Sequence, residues 1–271
     1  IPVGFLSRLS TDLFGDILAD QLIKNNVDLQ YCPRVEGQTT LAFVSLADDE
    51  NAEPQYAFYA EGAVDREMTV GDLPSHLPEA VLALHFGSIS LVLEPGASAL
   101  ESLMKRESRK RVITLDPNVR PIVISNWDAY RERFLKWLSY VDILRLSQVD
   151  LDWLYPGQKI GDLLPGWFEL GLSLVILTQG DNGAIAFTAN GSHVHVPAPT
   201  IEVEDTVGAG DTFFSAVLTY FYEKWILFDR RDIKGMGEAD LQACLDFAVR
   251  AAAINCTRKG ANPPYRDEMD L

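Results

Sequence analysis

The segment 204–216 has the residue types and spacing of a turn that handles phosphate. Gly208 and Gly210 stand immediately before a strongly helical pattern. Glycine lets the backbone come close to a ligand, and the unpaired N–H groups at a helix N-terminus attract anions. Gly208, Ala209 and Gly210 therefore predict an anion hole. Asp211 follows in the same turn, where a carboxylate could accept the proton of an attacking hydroxyl while the amides hold a phosphoryl group.

Two other interpretations of this segment stay open at the level of sequence. Asp211 could cap the helix after a glycine turn. A dinucleotide-binding fingerprint is the third possibility, but it needs a glycine where Phe213 stands and normally follows the first strand of its unit. The chain contains no G-x-x-x-x-G-K-[S/T] pattern, which excludes a P-loop.

Composition limits the class of protein and its partners. The chain has 271 residues, of which 47% are apolar and 23% charged, so it can bury a large core. A net charge of −16 repels phosphate backbones and anionic membranes, so neither nucleic acid nor membrane is an expected partner. Cys32, Cys244 and Cys256 form neither a metal-binding spacing nor a disulfide framework. This cysteine usage predicts a cytoplasmic protein.

Apolar runs of strand length alternate with helical patterns over most of the chain. The predicted strands are 111–115, 141–146, 172–177 and 82–93, the last with a Gly-Ser turn near its end. The predicted helices are 97–109, 127–138, 148–154 and 163–170, with Asn126 as the N-cap of the second. Such an alternation, with continuously apolar strands, predicts an α/β fold in which helices cover both faces of a parallel sheet.

Two hairpins interrupt this alternation. Residues 183–187 and 193–196 flank Asn190 and Gly191, and an Asn-Gly pair is a strong hairpin signal. Residues 39–46 and 55–59 flank the acidic turn 48–51, and their apolar residues repeat with the period of a strand that has one wet face. We interpret 37–66 as a small β lid within a single domain that spans 1–271.

Five motifs, in chain order, resemble the ribokinase-like (PfkB) carbohydrate kinases. They are the glycine-containing start 4–15, Asp116-Pro117-Asn118-Val119-Arg120, Thr178-Gln179-Gly180-Asp181-Asn182-Gly183, the segment 205–213 and the loop 257–261. Residues 84–88 and 151–157 look most like the fructokinase branch. The resemblance implies a ribokinase-like sheet sandwiched by helices and an ATP-dependent kinase for fructose or a related ketose. A nucleoside kinase of the same fold and a non-catalytic nucleotide or sugar sensor remain the alternatives.

The same resemblance implies roles for individual residues. Asp211 becomes the general base and Gly208, Ala209 and Gly210 the anion hole. The residues implied at the ATP site are Thr178, Gly180, Gly183, Asn255 and Gly260. Asn118 and Arg120, with Asp211, are implied to face the sugar or the phosphates. For each of these loops the plain alternative is an ordinary polar turn.

Two cation sites follow from the resemblance. Asp150 is implied to contact Mg²⁺ through water, and it equally suits the first turn of a helix. Backbone carbonyls beside the anion hole are implied to bind a monovalent cation such as K⁺. Their residues are Asp205, Val207, Asn255, Arg258 and Gly260, with Pro264 where some potassium-activated relatives have Ser.

The resemblance also leads to expectations about what lies outside the sequence. The family's first strand, its sugar-binding Asp and its glycine-rich helix entry would precede Ile1. We therefore expect the natural protein to extend upstream with a strand, a glycine-rich turn and an amphipathic helix. Relatives often form dimers through the lid strands, so the ribbon 39–59 is the expected surface of a homodimer.

Overall fold

The computed structural model describes residues 1–45 and 55–270. The chain divides into two compact units. The first contains Ile1–Leu77 and Ser90–Leu103, and the second contains Pro78–Ile89 and the chain from Met104 onward. The single domain over 1–271 and the lid at 37–66 stay predictions.

Within the described residues, the first unit contains one complete helix, the first turns of a second helix and three small pairs of strands. The complete helix is α1 (Leu13–Lys24). The strand pairs are β1 (Val3–Leu6) with β3 (Val27–Tyr31) and β2 (Leu9–Ser10) with β4 (Arg34–Val35), both parallel, and β5 (Leu41–Ser45) with β6 (Gln55–Tyr59), which is antiparallel. The predicted ribbon is thus confirmed in its two strands. Its acidic turn at 48–51 and its end at Leu46 lie outside the described residues.

Asp12 fixes the start of α1. Its Oδ1 accepts hydrogen bonds from the Gly15 N–H at 2.7 Å and the Thr39 hydroxyl at 2.6 Å. These bonds lower the pKa of Asp12 to about 2, with the Thr39 hydroxyl as the largest cause. Gly15 is required because a Cβ there would lie 1.9 Å from the Ser10 carbonyl oxygen. Asp12 therefore joins the helix to the segment that enters β5.

The second unit is built on a six-stranded sheet. Along the sheet the strands are β12 (His193–Val196), β11 (Ala184–Thr188), β10 (Leu174–Thr178), β9 (Ile143–Ser147), β8 (Val112–Asp116) and β7 (Ala83–Gly87). Strands β7 to β10 are parallel, whereas β11 and β12 are antiparallel to their neighbours. The sheet is therefore mixed, because the hairpin predicted around Asn190 adds its two strands to one edge.

The other helices of the described residues follow the predicted alternation. They are α2 (Gly96–Glu107), α3 (Trp127–Leu138), α4 (Gln148–Leu154), α5 (Ile160–Leu170), α6 (Ala209–Glu223), α7 (Arg230–Lys234) and α8 (Glu238–Cys256). Asn126 caps α3 as predicted, since its side chain accepts the Ala129 N–H. No helix within the described residues is long and apolar enough to cross a bilayer.

One predicted strand was too long. The run 82–93 forms β7 only as far as Gly87, and Ser88–Leu91 then makes a 3₁₀ turn. Ser88 has a φ of 57°, which ends the extended conformation. Gly87 itself lies so close to β8 that a Cβ would be 2.1 Å from the Asp116 carbonyl oxygen. The residues after Gly87 therefore keep the apolar sequence pattern of a strand, but their backbone is not extended.

The core of the second unit lies between the sheet and the helices α6 and α8. Val217 and Phe221 of α6 and Ala248 of α8 are fully buried, as are Ile143 and Leu174 of the inner strands. Inner parallel strands are buried on both faces, which explains their continuous apolar sequences. This packing holds α6 rigidly against the sheet and so fixes the position of its N-terminus.

Candidate active site

The predicted site residues gather where the parallel strands of the second unit end. In open α/β sheets this carboxyl edge is where ligands bind. Strand β8 ends at Asp116 and β10 ends at Thr178. Helix α6 begins beyond this edge after Gly208, whose φ of 77° is the left-handed conformation that glycine adopts without strain. The sequence thus places the glycine turn and the strand ends in one region.

The N-terminus of α6 exposes amides and a carboxylate together. Asp211 is solvent-exposed in the first turn, and Gly208 rather than Asp211 is the N-cap. The interpretation of Asp211 as a helix cap is therefore wrong. The Ala209 N–H donates to the Thr206 carbonyl at 3.2 Å. Within the described part of the chain no acceptor is found for the N–H of Gly208 or Gly210, so these two amides are available to an anion.

Arg145 of β9 connects three parts of this region, and the sequence reasoning missed it. Its Nη1 donates to Asp116 Oδ2 at 2.7 Å and its Nη2 donates to Thr178 Oγ1 at 2.6 Å. A Cβ built on Gly210 would lie 2.9 Å from Nη2. The available signal was a single charged residue in an otherwise apolar strand.

Titratable groups lie around this arginine. Burial raises the pKa of Asp116 to about 6, while the Arg145 guanidinium acts in the opposite direction. His85 is solvent-exposed at the surface of β7, and partial desolvation by neighbouring protein atoms lowers its pKa, against the effect of the Asp211 carboxylate. His85 Nδ1 lies 2.9 Å from Thr114 Oγ1. Asp211 therefore shares its electrostatic environment with Asp116 and His85, two residues that the sequence did not single out for chemistry.

The loop after β8 carries Asn118 and Arg120. Asp116 Oδ1 accepts the Asn118 N–H at 3.1 Å, and Asn118 has a φ of 36°. Arg120 Nη1 donates to the carbonyls of Asn118 and Val119 at 3.3 and 3.1 Å. A hydrogen bond accepted by Asp116 and those donated by Arg120 thus hold this loop beside the strand ends.

Asp150 makes a different contribution from the one that the family resemblance implied. It is buried, and its Oδ2 accepts both the N–H and the hydroxyl of Ser147 in a capping box at the start of α4. Its Oδ1 accepts the Val119 N–H at 2.7 Å. The structure therefore shows the first-turn role that the sequence left open, and the magnesium contact stays a proposal.

The loop after β10 contains the glycines predicted for ATP. Gly180 has a φ of 55° and nothing lies within 4 Å of its Cβ position, so its face is open. Gly183 has a φ of 84°, and a Cβ there would lie 2.0 Å from the Val196 carbonyl oxygen. His195 Nε2 lies 2.8 Å from the Asn182 carbonyl oxygen. This loop is thus anchored on β12 and open at Gly180.

Asp205 and Asn255 join the two loops predicted for the monovalent cation. Asp205 accepts the N–H groups of Val207 at 2.9 Å and Gly260 at 2.8 Å. Asn255 is fully buried and donates to the Val207 carbonyl at 2.9 Å. Arg258 forms an ion pair with Glu268 at 2.5 Å. The predicted residues are therefore neighbours, although the carbonyls of Val207 and Asn255 already accept hydrogen bonds.

The described residues hold no acidic or sulfur cluster that could compete with these loops for a metal ion. Among the residues 1–45 and 55–270 no group of three or more His, Cys, Asp or Glu side chains could hold one. A cation here would depend on backbone carbonyls, on single carboxylates and on bound phosphate oxygens.

The ribokinase-like kinases share this architecture: a mixed β-sheet flanked by helices, with the strand ends next to a helix that begins at a glycine turn. The sequence profile described as pfkB family carbohydrate kinase matches residues 1–268. The chain therefore belongs to this family, and its class is that of the ATP-dependent sugar kinases.

Individual relatives agree with this assignment. The fructokinase of Rhizobium leguminosarum bv. trifolii is 39% identical over 218 residues, which cover 80% of this chain and 65% of that enzyme. This match spans slightly less than two thirds of that relative's length. Fructokinase-2 of Zea mays is 32% identical over 266 residues, which cover 96% of this chain and 76% of that protein. The structure of fructokinase with bound ATP from Xylella fastidiosa has a TM-score of 0.85 and 25% identity, over 96% of this chain and 80% of that one.

Proposed function

We propose that this protein transfers the γ-phosphoryl group of ATP to a hydroxyl of fructose or a closely related ketose. The observation that carries the proposal is the exposed Asp211 carboxylate in the first turn of α6, beside the available amides of Gly208 and Gly210. The similarity to fructokinases and to an ATP-bound fructokinase structure supports the choice of substrates.

The proposed reaction uses the charges at the start of α6. The Asp211 carboxylate accepts the proton of the sugar hydroxyl, whose oxygen attacks the γ-phosphorus as the bond to ADP breaks. The glycine turn from Gly208 through Ala209 to Gly210 stabilises the charge that develops on the phosphoryl oxygens. A preorganised helix terminus suits this task because its dipole is already aligned before the reaction begins.

Substrate binding is assigned to the loops around this turn. Thr178, Gly180 and Gly183 line the ATP site from the end of β10, and Gly260 lines it from the loop after α8. Asn255, fully buried in the last turn of α8, supports that loop. Asn118 and Arg120 face the sugar or the phosphates. The open face of Gly180 supports a close approach of the nucleotide to the backbone.

Two cations complete the proposal. Mg²⁺ bound to the phosphates of ATP would neutralise part of their charge. The Asp150 oxygens already accept bonds from Ser147 and Val119, which fits a contact through water better than a direct one. K⁺ would be held by carbonyls among Asp205, Val207, Asn255, Arg258 and Gly260, and the bonds of Asp205 and Asn255 support this by holding the two loops together.

A panel of acceptors tests the proposed function. Initial rates with ATP and Mg²⁺ are measured for fructose, other ketohexoses, ribose and adenosine, and ADP and phosphorylated product are quantified. We expect the highest kcat/KM for fructose and one sugar phosphate for each ADP formed. A clear preference for adenosine would establish the nucleoside kinase instead. Binding of ATP and sugar without turnover would establish a sensor.

We also propose a homodimer formed through β5 and β6 and a cytoplasmic location. Phe43 and Tyr59 expose 57% and 65% of their surface and meet edge to face at 5.6 Å, which offers an apolar patch to a second copy. The free state of all three cysteines supports a reducing compartment. Sedimentation of the wild type and of Phe43→Asp tests the dimer, and a monomeric wild type would contradict it.

A further inference from the structure

Arg145 is a buried charged residue, and the stability of the fold does not require a charge at its position. Its neighbours Ile143, Leu144 and Leu146 are fully buried, and Arg145 itself is only 6% exposed. A buried ion pair such as Arg145 with Asp116 is often no more stable than apolar side chains of similar size. A buried, paired charge at the edge of a site is therefore a candidate for function.

The guanidinium of Arg145 lies against the N-terminus of α6. A Cβ built on Gly210 would be 2.9 Å from Nη2 and 3.0 Å from Nη1. The N-terminus of a helix carries partial positive charge, so a cation at this position is repelled unless an anion is close. The Nε of Arg145 is buried and has no hydrogen-bond partner within the described residues. The guanidinium therefore adds a fixed positive charge beside Gly210 to that of the helix N-terminus, and the carboxylates of its partner Asp116 and of Asp211 lie close to it.

Arg145 also sets the geometry of the residues around it. One nitrogen binds Asp116 at the end of β8 and the other binds Thr178 at the end of β10. A planar guanidinium fixes two such partners at a set angle, which a lysine ammonium cannot do. Arg145 is thus a rigid link between the predicted nucleotide loop and the start of α6.

We propose that Arg145 is a positioning residue for phosphoryl transfer, which adds a fixed positive charge beneath Gly210 and holds Thr178 in place beside it. The ligand group that it serves is the terminal phosphoryl group of a nucleoside triphosphate. This inference rests on the proposed kinase function. It deepens that function by assigning part of the affinity for the triphosphate to a strand residue outside the glycine turn.

Binding measurements test the proposal without any sugar. Affinities for ATP and AMP are measured by calorimetry, with Mg²⁺ present, for the wild type, Arg145→Met and Thr178→Val. We expect Arg145→Met to bind ATP about tenfold more weakly and AMP as the wild type does, since one tenfold change corresponds to one charge-assisted contact. Thr178→Val removes one partner but keeps the charge, so we expect a smaller loss. Equal losses for ATP and AMP, or no loss, would overturn the proposal.

Turnover with the best acceptor provides the second test. We expect Arg145→Met to lower kcat by about 100-fold, as the loss of one preorganised donor does, with the KM for sugar changed by less than about threefold. Arg145→Lys retains the charge, so its kcat should be about tenfold higher than that of Arg145→Met. A wild type that binds ATP but phosphorylates nothing would defeat the proposed function, whereas the ATP and AMP comparison would still decide the role of Arg145.

A double variant separates charge from structure. Arg145→Met with Asp116→Asn leaves no unpaired buried charge, so we expect a melting temperature near that of the wild type. We expect its kcat to stay as low as that of Arg145→Met alone. Recovery of wild-type turnover in the double variant would show that Arg145 serves only to pair Asp116, and the proposal would be wrong.

Discussion

Gly210 leaves room for the end of the Arg145 guanidinium against the first turn of α6. A Cβ at this position would lie 2.9 Å from Nη2, 3.0 Å from Nη1 and 3.2 Å from Cζ. The two glycines of the turn are therefore needed for different reasons. Gly208 is needed for its left-handed backbone, with a φ of 77°, and Gly210 is needed for the space that it leaves to a neighbour.

The first prediction concerns Gly210→Ala. Alanine suits a helix better than glycine, so the backbone should tolerate the change. Its methyl group must displace the Arg145 guanidinium, and the bond to Thr178 should weaken. We expect kcat to fall about 10- to 100-fold, because misplacement by fractions of an ångström disturbs preorganised charge. Steady-state kinetics with ATP and the best acceptor measures the effect.

Gly166→Ala is the matched control for this change. Gly166 is exposed in α5, and nothing lies within 4 Å of its Cβ position. We expect unchanged kinetics and a free energy of unfolding that rises by up to about 1 kcal/mol. Wild-type turnover in Gly210→Ala would show that the close contact with Arg145 has no role in the reaction.

The second prediction concerns Asp211→Asn. The amide keeps the size of the side chain but cannot accept the proton of the sugar hydroxyl. Loss of a general base lowers rates by ~100- to 10,000-fold, and we expect kcat to fall within this range while the affinity for ATP changes little. Asp246→Asn, at an exposed carboxylate that bonds only Gln242 in the described structure, is the control. Turnover of Asp211→Asn within a few-fold of the wild type would remove Asp211 from the role of base.

The third prediction concerns the monovalent cation. Asp205 holds the Val207 and Gly260 amides and so keeps two carbonyl-bearing loops together. We expect K⁺ to raise kcat several-fold over tetramethylammonium at equal ionic strength, and Asp205→Ala to abolish the difference. Equal rates of the wild type in both salts would show that no such cation activates the enzyme.

Local signals in the sequence predicted much of this fold. Helices α3 and α4 begin and end where they were predicted. Asn126 caps the start of α3, and Ser147 and Asp150 cap the start of α4, so each start is set by residues that are neighbours in the sequence. The hairpin around Asn190 follows from its turn residues for the same reason. The Ser147 and Asp150 spacing is itself a capping-box pattern, which explains why the structure uses Asp150 at a helix start.

The contacts between residues far apart in the chain could not be predicted from the sequence. Arg145 lies 29 residues from Asp116 and 33 from Thr178, and the three meet only because β8, β9 and β10 pair side by side. Nothing in the spacing of these residues predicts that register. The end of β7 was misjudged for a similar reason, since the contact of Gly87 with β8 decides where that strand can continue.

The last prediction concerns Asp142, which lies far along the chain from the glycine turn. Asp142 is 7% exposed, its Oδ2 accepts the Ile113 N–H at 2.8 Å, and Arg230 Nε lies 3.2 Å from its Oδ1. Burial raises the pKa of Asp142 from 3.8 to about 6, and the Ile113 and Arg230 contacts only partly oppose this. Between these two values the folded protein binds a proton that the unfolded chain does not.

The free energy of unfolding should therefore fall as the pH rises through this window, and the contribution of Asp142 should be lost above pH 6. Asp142→Asn keeps an acceptor for the Ile113 N–H and cannot titrate. The stability of the wild type relative to this variant should decrease by on the order of 2 kcal/mol between pH 4.5 and 7, whereas the control Asp246→Asn should show no such trend. Urea unfolding at several pH values measures both differences. A wild-type advantage that stays constant, or that grows toward pH 7, would mean that Asp142 is ionised throughout this range.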